Sequence, residues 1–135
     1  MQIVPYLSFN GQCEEAFRFY GKCLGGKVEI RTFSDSPMAK ELSPEWHGRV
    51  MHAQLVTGDA LLMGSDGPPD QPEEMKGVHV ALMIRNAVEA ERVFNTLAEG
   101  GAVRMPLAET FWALRFGILV DKFGTAWMIN SLRPS

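Results

Sequence analysis

The most constraining feature of this chain is that one order of elements occurs in it twice. Residues 2–9 have the length and the β-branched and aromatic content of a strand, ended by the turn pair Asn10-Gly11. Residues 13–24 carry Ala16, Phe17, Tyr20 and Leu24 at helical spacing, with Glu14 and Glu15 favouring the first turn and Gly25-Gly26 stopping the helix. Residues 27–34 alternate as a strand, and residues 49–57 and 60–65 form two more around Gly58-Asp59, a tight hairpin turn. The order then recurs: strand 78–84, helix 87–98 closed by Gly100-Gly101, and strands at 102–106, 113–120 and 125–130. Glu15, Ala16 and Arg18 align with Glu89, Ala90 and Arg92, and Gly26 aligns with Gly100. Leu62-Met63-Gly64-Ser65 falls on Trp127-Met128-Ile129-Asn130. A longer polar loop at 35–48, holding Pro37 and Pro44, separates the two alignments.

Each copy therefore reads βαβββ, and the chain reads as a tandem duplication. One helix covers only one face of a four-stranded sheet, so the second copy is expected to cover the other. The fold class is α+β: two βαβββ modules forming curled mixed sheets around a central cavity, the kind of concave surface where ligands bind. The first module spans 1–66 and the second 77–135, within one structural domain. The linker 67–76 begins GPPDQPEE, whose paired prolines and polarity exclude regular structure.

Composition narrows the function classes. The chain is 46% hydrophobic and 21% charged with a net charge of −3, which excludes a disordered chain and leaves no basic footprint for nucleic acid. No apolar run approaches the ~20 residues that cross a bilayer, so no membrane partner is expected. The N-terminal residues lack the basic start and apolar core of a signal peptide, so a cytoplasmic location is expected. Cys13 and Cys23 lie ~15 Å apart along one helix, beyond disulfide reach, and are expected to be buried thiols.

The order of modules, the opening PYLSFNG with EEAFRFY and LGG, and the later MHAQL, LLMGSD, PLAETFW, RFG and DKFGTAWMIN resemble the PhnB-like branch of the glyoxalase/bleomycin-resistance/dioxygenase (vicinal oxygen chelate) superfamily. The resemblance covers essentially the whole chain. The branch often bears a demethylubiquinone methyltransferase-like label, yet no glycine-rich G-x-G loop follows the first strand here to hold a nucleotide cofactor. The resemblance implies metal-ligand positions on the first and fourth strands of each module, which are Pro5, Met63, His79 and Met128 in this chain. One imidazole, a proline and two thioethers are a poor set for a divalent ion, so no metal and no other cofactor are expected.

His79 can be read as a hydrogen-bonded core histidine, as a ligand contact or general base, or as a metal ligand. With Gly58-Asp59 as a two-residue turn, Gln54 pairs with Met63 and His52 with Ser65, placing all four on one face. The same count puts Arg115, Gly117 and Leu119 on the face of Met128 and Asn130. The expected ligand-binding set is thus His52, Gln54, Met63, Ser65, His79, Arg115, Met128 and Asn130. The competing reading of its polar members is a satisfied hydrogen-bond network. Methionines would give soft walls. Phe33, Met38, Trp46, Phe111 and Trp112 flank loops as core edges, dimer surface or ligand cover. Glu109 and Asp121 read as solvated strand ends or turn caps.

Three functions remain open on these residues. The first is a metal-independent binder of a small organic molecule, held in the cavity between the modules. The second is an enzyme acting on a small carbonyl or hydroxylated compound, with His79 or His52 as base and Arg115 steadying an anion. The third is a dimeric interaction protein with a vestigial cavity. A homodimer is expected by resemblance and from open sheet edges.

Overall fold

A computed structural model describes residues 1–134. The chain forms two compact units, Met1–Met75 and one from Lys76 onward. In the first, β1 (Tyr6–Phe9), α1 (Cys13–Leu24), β2 (Lys27–Thr32), β3 (Val50–Thr57) and β4 (Ala60–Asp66) make a mixed sheet of order β1-β4-β3-β2. The loop before β3 holds two 3₁₀ turns and a short helix, α2 (Pro44–His47). In the second unit β5 (Val80–Met83), α3 (Ala87–Leu97), β6 (Ala102–Ala108), β7 (Ala113–Val120) and β8 (Ala126–Leu132) repeat the arrangement as β5-β8-β7-β6. In both, the edge strand preceding the helix runs parallel to its neighbour and the other pairs are antiparallel. These are two βαβββ modules of an α+β fold, and neither sheet closes on itself.

Each helix buries one stripe against one face of its sheet. Cys13, Ala16, Phe17 and Tyr20 are buried on α1, and Ala90, Val93, Phe94 and Leu97 on α3, in the i, i+3, i+4, i+7 pattern of an amphipathic helix. A Cβ on Gly64 would lie 2.8 Å from the Phe17 ring, and one on Gly117 would lie 2.8 Å from the Phe94 ring. Gly64 and Gly117 therefore point at the helices, and their strand neighbours Met63, Ser65, Phe116 and Ile118 point away.

The glycine pair after each helix sets the repeat more finely than the sequence alignment does. Gly25 and Gly100 both have positive φ, +78° and +74°. A Cβ on Gly26 would come within 2.2 Å of the Val56 carbonyl, and one on Gly101 within 2.3 Å of the Val120 carbonyl. Gly26 is thus the counterpart of Gly101, not of Gly100. The edge strands show the same one-residue slip. Tyr6 stands beside Met63, and Ala81 beside Met128, so Pro5 corresponds to Val80 rather than to His79. The first strand of each module is also shorter than expected, with Pro5 and His79 lying just outside it.

Two buried carboxylates pin the units at different places. Asp66, at the end of β4, accepts hydrogen bonds from the backbone N–H groups of Gly11 (2.8 Å), Cys13 (3.1 Å) and Val50 (2.9 Å). Asp121, in the β7–β8 turn, accepts from the N–H of Phe123 (2.8 Å) and Thr125 (3.1 Å) and from Trp127 Nε1 (2.8 Å). Asp121 caps a turn as one sequence reading had it, but buried rather than solvated. Glu109 is exposed and pairs with Arg133 at 2.7 Å. Cys13 and Cys23 are buried free thiols.

Candidate functional site

The sheet face turned away from the helix carries exposed and half-buried side chains, with Tyr6 and Glu29 exposed and His52, Gln54 and Met63 half-buried in the first unit. In the first unit two rows of side chains cross this face. One runs Tyr6, Met63, Gln54, Glu29 across β1, β4, β3 and β2. In the next, Ser8 stands beside Ser65, and His52 beside Arg31. The sequence-derived pairing of Gln54 with Met63 is the pairing found, because the tight Gly58-Asp59 turn fixes the count.

These side chains are joined. The Tyr6 hydroxyl lies 3.4 Å from His52 Nδ1, with the two rings 6.0 Å apart between centroids. His52 Nε2 lies 3.4 Å from Gln54 Oε1, and Gln54 Nε2 donates to Glu29 Oε2 at 3.2 Å. Lys27 Nζ approaches Glu29 Oε1 at 3.4 Å. The chain of contacts spans the sheet from one edge to the other, over Met63. Tyr6 and Glu29 were not among the expected site residues. Both could have been found once β1 was registered against β4 and the face of Gln54 was followed one strand further.

The equivalent rows of the second unit are Ala81, Met128, Ile118, Met105 and Met83, Asn130, Phe116, Ala108. Asn130 is the one polar side chain among these eight. Trp112 packs edge-on against Phe116 at 5.5 Å and continues the apolar surface; Phe111, edge-on to Trp112 at 4.8 Å, is 90% exposed. A small pocket of about 180 Å³ lined by Met83, Ile84, Arg85 and Leu132 opens at the end of β5. It is below the ~300 Å³ at which small-molecule sites begin.

Arg115 does not share the face of Met128, contrary to the sequence count. It stands opposite Ser131, beside an irregularity in the β7–β8 ladder, and its Nε donates to Glu91 Oε1 of α3 at 2.8 Å. Gly117 and Leu119 likewise face α3, opposite Ile129 and Trp127. The physical reason is the turn: β7 and β8 are joined through Asp121–Thr125, whose N–H to C=O bond (2.9 Å) closes a longer connection than a two-residue hairpin. A one-residue slip in register reverses every side chain of a strand. Phe116 and Ile118 take the places assigned to Arg115 and its alternates. His79 precedes β5 and is exposed.

The donors that the superfamily's ligand positions would present are thioethers at Met63 and Met128, flanked by Tyr6 and Ala81. Such a set does not fit a divalent ion that prefers imidazole and carboxylate. Among the described residues no three His, Cys, Asp or Glu side chains gather as a metal centre needs, and no helix is long and apolar enough to cross a membrane.

Comparison with known proteins agrees with this architecture. The chain is 32% identical to Protein YjdN of Escherichia coli (strain K12), over 98% of this chain and 97% of that one. The crystal structure of protein PA1353 from Pseudomonas aeruginosa superposes with a TM-score of 0.90 at 49% identity, covering 99% of each chain. The PhnB protein from Bacillus cereus superposes at 0.75 with 28% identity, covering 97% of this chain and 99% of its own. Residues 2–129 match the family model of the Glyoxalase/Bleomycin resistance protein/Dioxygenase superfamily, and the chain belongs to that superfamily, in its PhnB-like branch.

Proposed function

We propose that this protein is a metal-independent, cytoplasmic binder of a small organic molecule, acting as a homodimer, with the ligand held on the open sheet faces. The observation that carries the reading is the linked polar set Tyr6, His52, Gln54 and Glu29 beside Met63 on the sheet face turned away from α1. Apolar area with a few placed hydrogen-bonding groups is what small-molecule recognition requires. Ser65 stands next to this set, Met128 and Asn130 belong to the corresponding rows of the second module, and His79 stands just ahead of β5. The exposed Phe111 and Trp112 suit a dimer surface better than open water.

An enzymatic reading remains as the alternative, and the Tyr6–His52 contact favours His52 over His79 as its base. Arg115 does not serve as its anion-steadying group, because that side chain is engaged by Glu91.

The test is a thermal-shift and native mass-spectrometry screen of small aromatic alcohols, amines and acids, run before and after exhaustive chelation. At least one class is expected to bind equally well without metal, and Met63→Trp is expected to abolish binding while the folded circular-dichroism spectrum persists. Binding that disappears on chelation and returns with added zinc, nickel or manganese would overturn the proposal.

A further inference from the structure

Resting on the reading of the open face as a ligand surface, we infer that Glu29 and Gln54 are positioning residues for His52. They hold it with its proton on Nε2, so that Nδ1 takes the Tyr6 proton and the Tyr6 oxygen faces the ligand as a hydrogen-bond acceptor. The site would then select ligands bearing a hydroxyl or N–H group over isosteres that can only accept.

The inference follows from donor and acceptor chemistry along the chain of contacts. A carboxylate only accepts, so the Gln54 group 3.2 Å from Glu29 Oε2 is the amide NH₂. Reversing the amide would set its oxygen against the carboxylate, acceptor against acceptor. With the NH₂ committed to Glu29, the amide oxygen is the atom 3.4 Å from His52 Nε2. An amide oxygen also only accepts, so Nε2 carries the proton and the neutral ring leaves Nδ1 as its lone-pair nitrogen. Nδ1 lies 3.4 Å from the Tyr6 hydroxyl, which therefore donates to it. The phenol proton is spoken for, and what Tyr6 has left to offer is its oxygen lone pairs.

The placement of the four groups suits that role. Tyr6 is 48% exposed, so its oxygen is open to a ligand while its ring leans on His52. Met63 lies beside Tyr6 in the same row and gives an apolar seat for the body of such a molecule. Glu29 is at the far edge of the sheet, two strands from Met63, and acts only through Gln54. The second module has Ala81, Phe116, Ile118 and Met105 where the first has Tyr6, His52, Gln54 and Glu29, so among the described residues the relay exists once.

Two measurements on the intact ¹⁵N-labelled protein test this. The first needs no ligand: long-range ¹H–¹⁵N correlation of the His52 ring, assigned with His52→Gln, at a pH where that ring is neutral. A single Nε2-protonated tautomer is expected, relaxing to the mixture of a free imidazole in Gln54→Leu and in Glu29→Ala. The Glu29 variant lies at an exposed strand edge and gives a result even if Gln54→Leu does not fold. A mixture in the wild type, a proton on Nδ1, or no change in either variant would overturn the relay.

The second is a titration with phenol and with anisole, which share a ring and differ in the hydrogen-bond donor. Phenol is expected to shift the signals of Tyr6, Met63 and Ser65 at several-fold lower concentration than anisole, and His52→Ala is expected to bring that ratio toward one. Equal binding in the wild type, or a ratio indifferent to His52→Ala, would overturn the donor selectivity. A single tautomer with neither probe at this face would instead sink the ligand-surface reading, and the selectivity with it. Mixed tautomers with phenol still bound there would sink the relay alone.

Discussion

The two modules share a backbone plan and differ in what they do with it. The first keeps a linked polar face and fastens its helix from a distance. No side chain of its N-cap residue Gln12 caps α1, and the carboxylate of Asp66, more than fifty residues on, takes the Gly11 and Cys13 N–H groups instead. The second keeps an apolar face and fastens its helix locally, with Asn86 Oδ1 accepting from the N–H of Val88 (2.8 Å) and Glu89 (3.1 Å). Its buried carboxylate, Asp121, has moved to the opposite end of the sheet to hold the β7–β8 turn. Duplicated modules can thus diverge in surface chemistry and in anchoring while the strand order stays fixed.

The anchoring difference can be broken by substitution in each half. Asp66→Ala strands three backbone donors, two of them on buried groups, and each such donor costs about 1–3 kcal/mol when left unsatisfied, so a loss of roughly 3 kcal/mol or more is expected. Asn86→Ala removes an exposed local cap and is expected to cost only about 1 kcal/mol. Urea titration followed by circular dichroism measures both. Equal losses would mean that the long-range cap is no more than a local one in another place.

How much of this was legible from the sequence depends on whether a turn was there to count from. Gly58, with φ of +58°, and Asp59 make a two-residue hairpin, so the pairing of Gln54 with Met63 could be read off directly. The parallel edge strands have no such turn, since a helix and further strands intervene, and their register came from aligning the repeats. That alignment slipped by one between the copies, and Pro5 itself stands one residue before Tyr6, so His79 falls two residues short of Ala81, the residue beside Met128. The β7–β8 connection runs through a five-residue turn and the ladder beyond it is irregular at Ala113/Arg115, so the count failed there too and Arg115 was placed on the wrong face. Asn86 announces itself as a cap by residue type, whereas nothing local to Asp66 signals that its partners lie at the start of α1.

Burial of Cys13 beside the long-range anchor gives the first module a pH dependence at the alkaline end. The Cys13 thiol is pushed well above the ordinary thiol range, chiefly by burial, and further by the negative charges of Asp66 and Glu14. The folded-state pKa is raised, so this contribution to stability is fully present below the unfolded thiol's pKa of about 8.5 and is lost progressively as pH rises above it. The slope approaches ~1.4 kcal/mol per pH unit, one proton's worth, while the folded thiol stays protonated. Unfolding free energies from pH 7 to 10.5 are expected to fall with a slope that Cys13→Ala removes. A wild-type profile that matches Cys13→Ala throughout would show that the unfolded thiol is shielded too.

The smallest effect is expected in the second module, at the one charged residue that sequence reasoning had placed in the ligand set. Arg115 and Glu91 are partly exposed, at 34% and 44% of their side-chain areas, and water screens much of their attraction. Exposed ion pairs contribute at most about 1 kcal/mol. Arg115 also donates from Nη1 to its neighbour's carbonyl, Leu114 O, at 2.6 Å, a bond that survives the loss of Glu91. Glu91→Gln is therefore expected to cost a few tenths of a kcal/mol and Arg115→Gln at most about 1 kcal/mol. Neither is expected to alter the affinity of any molecule bound at the open faces, because both side chains belong to the side of the sheet that carries α3. The decisive measurement pairs denaturant titration with the phenol titration on the same two proteins. Weakened phenol binding in Arg115→Gln at unchanged stability would return Arg115 to the site, and would make the polar character of the first module's face less exclusive than the strand register implies.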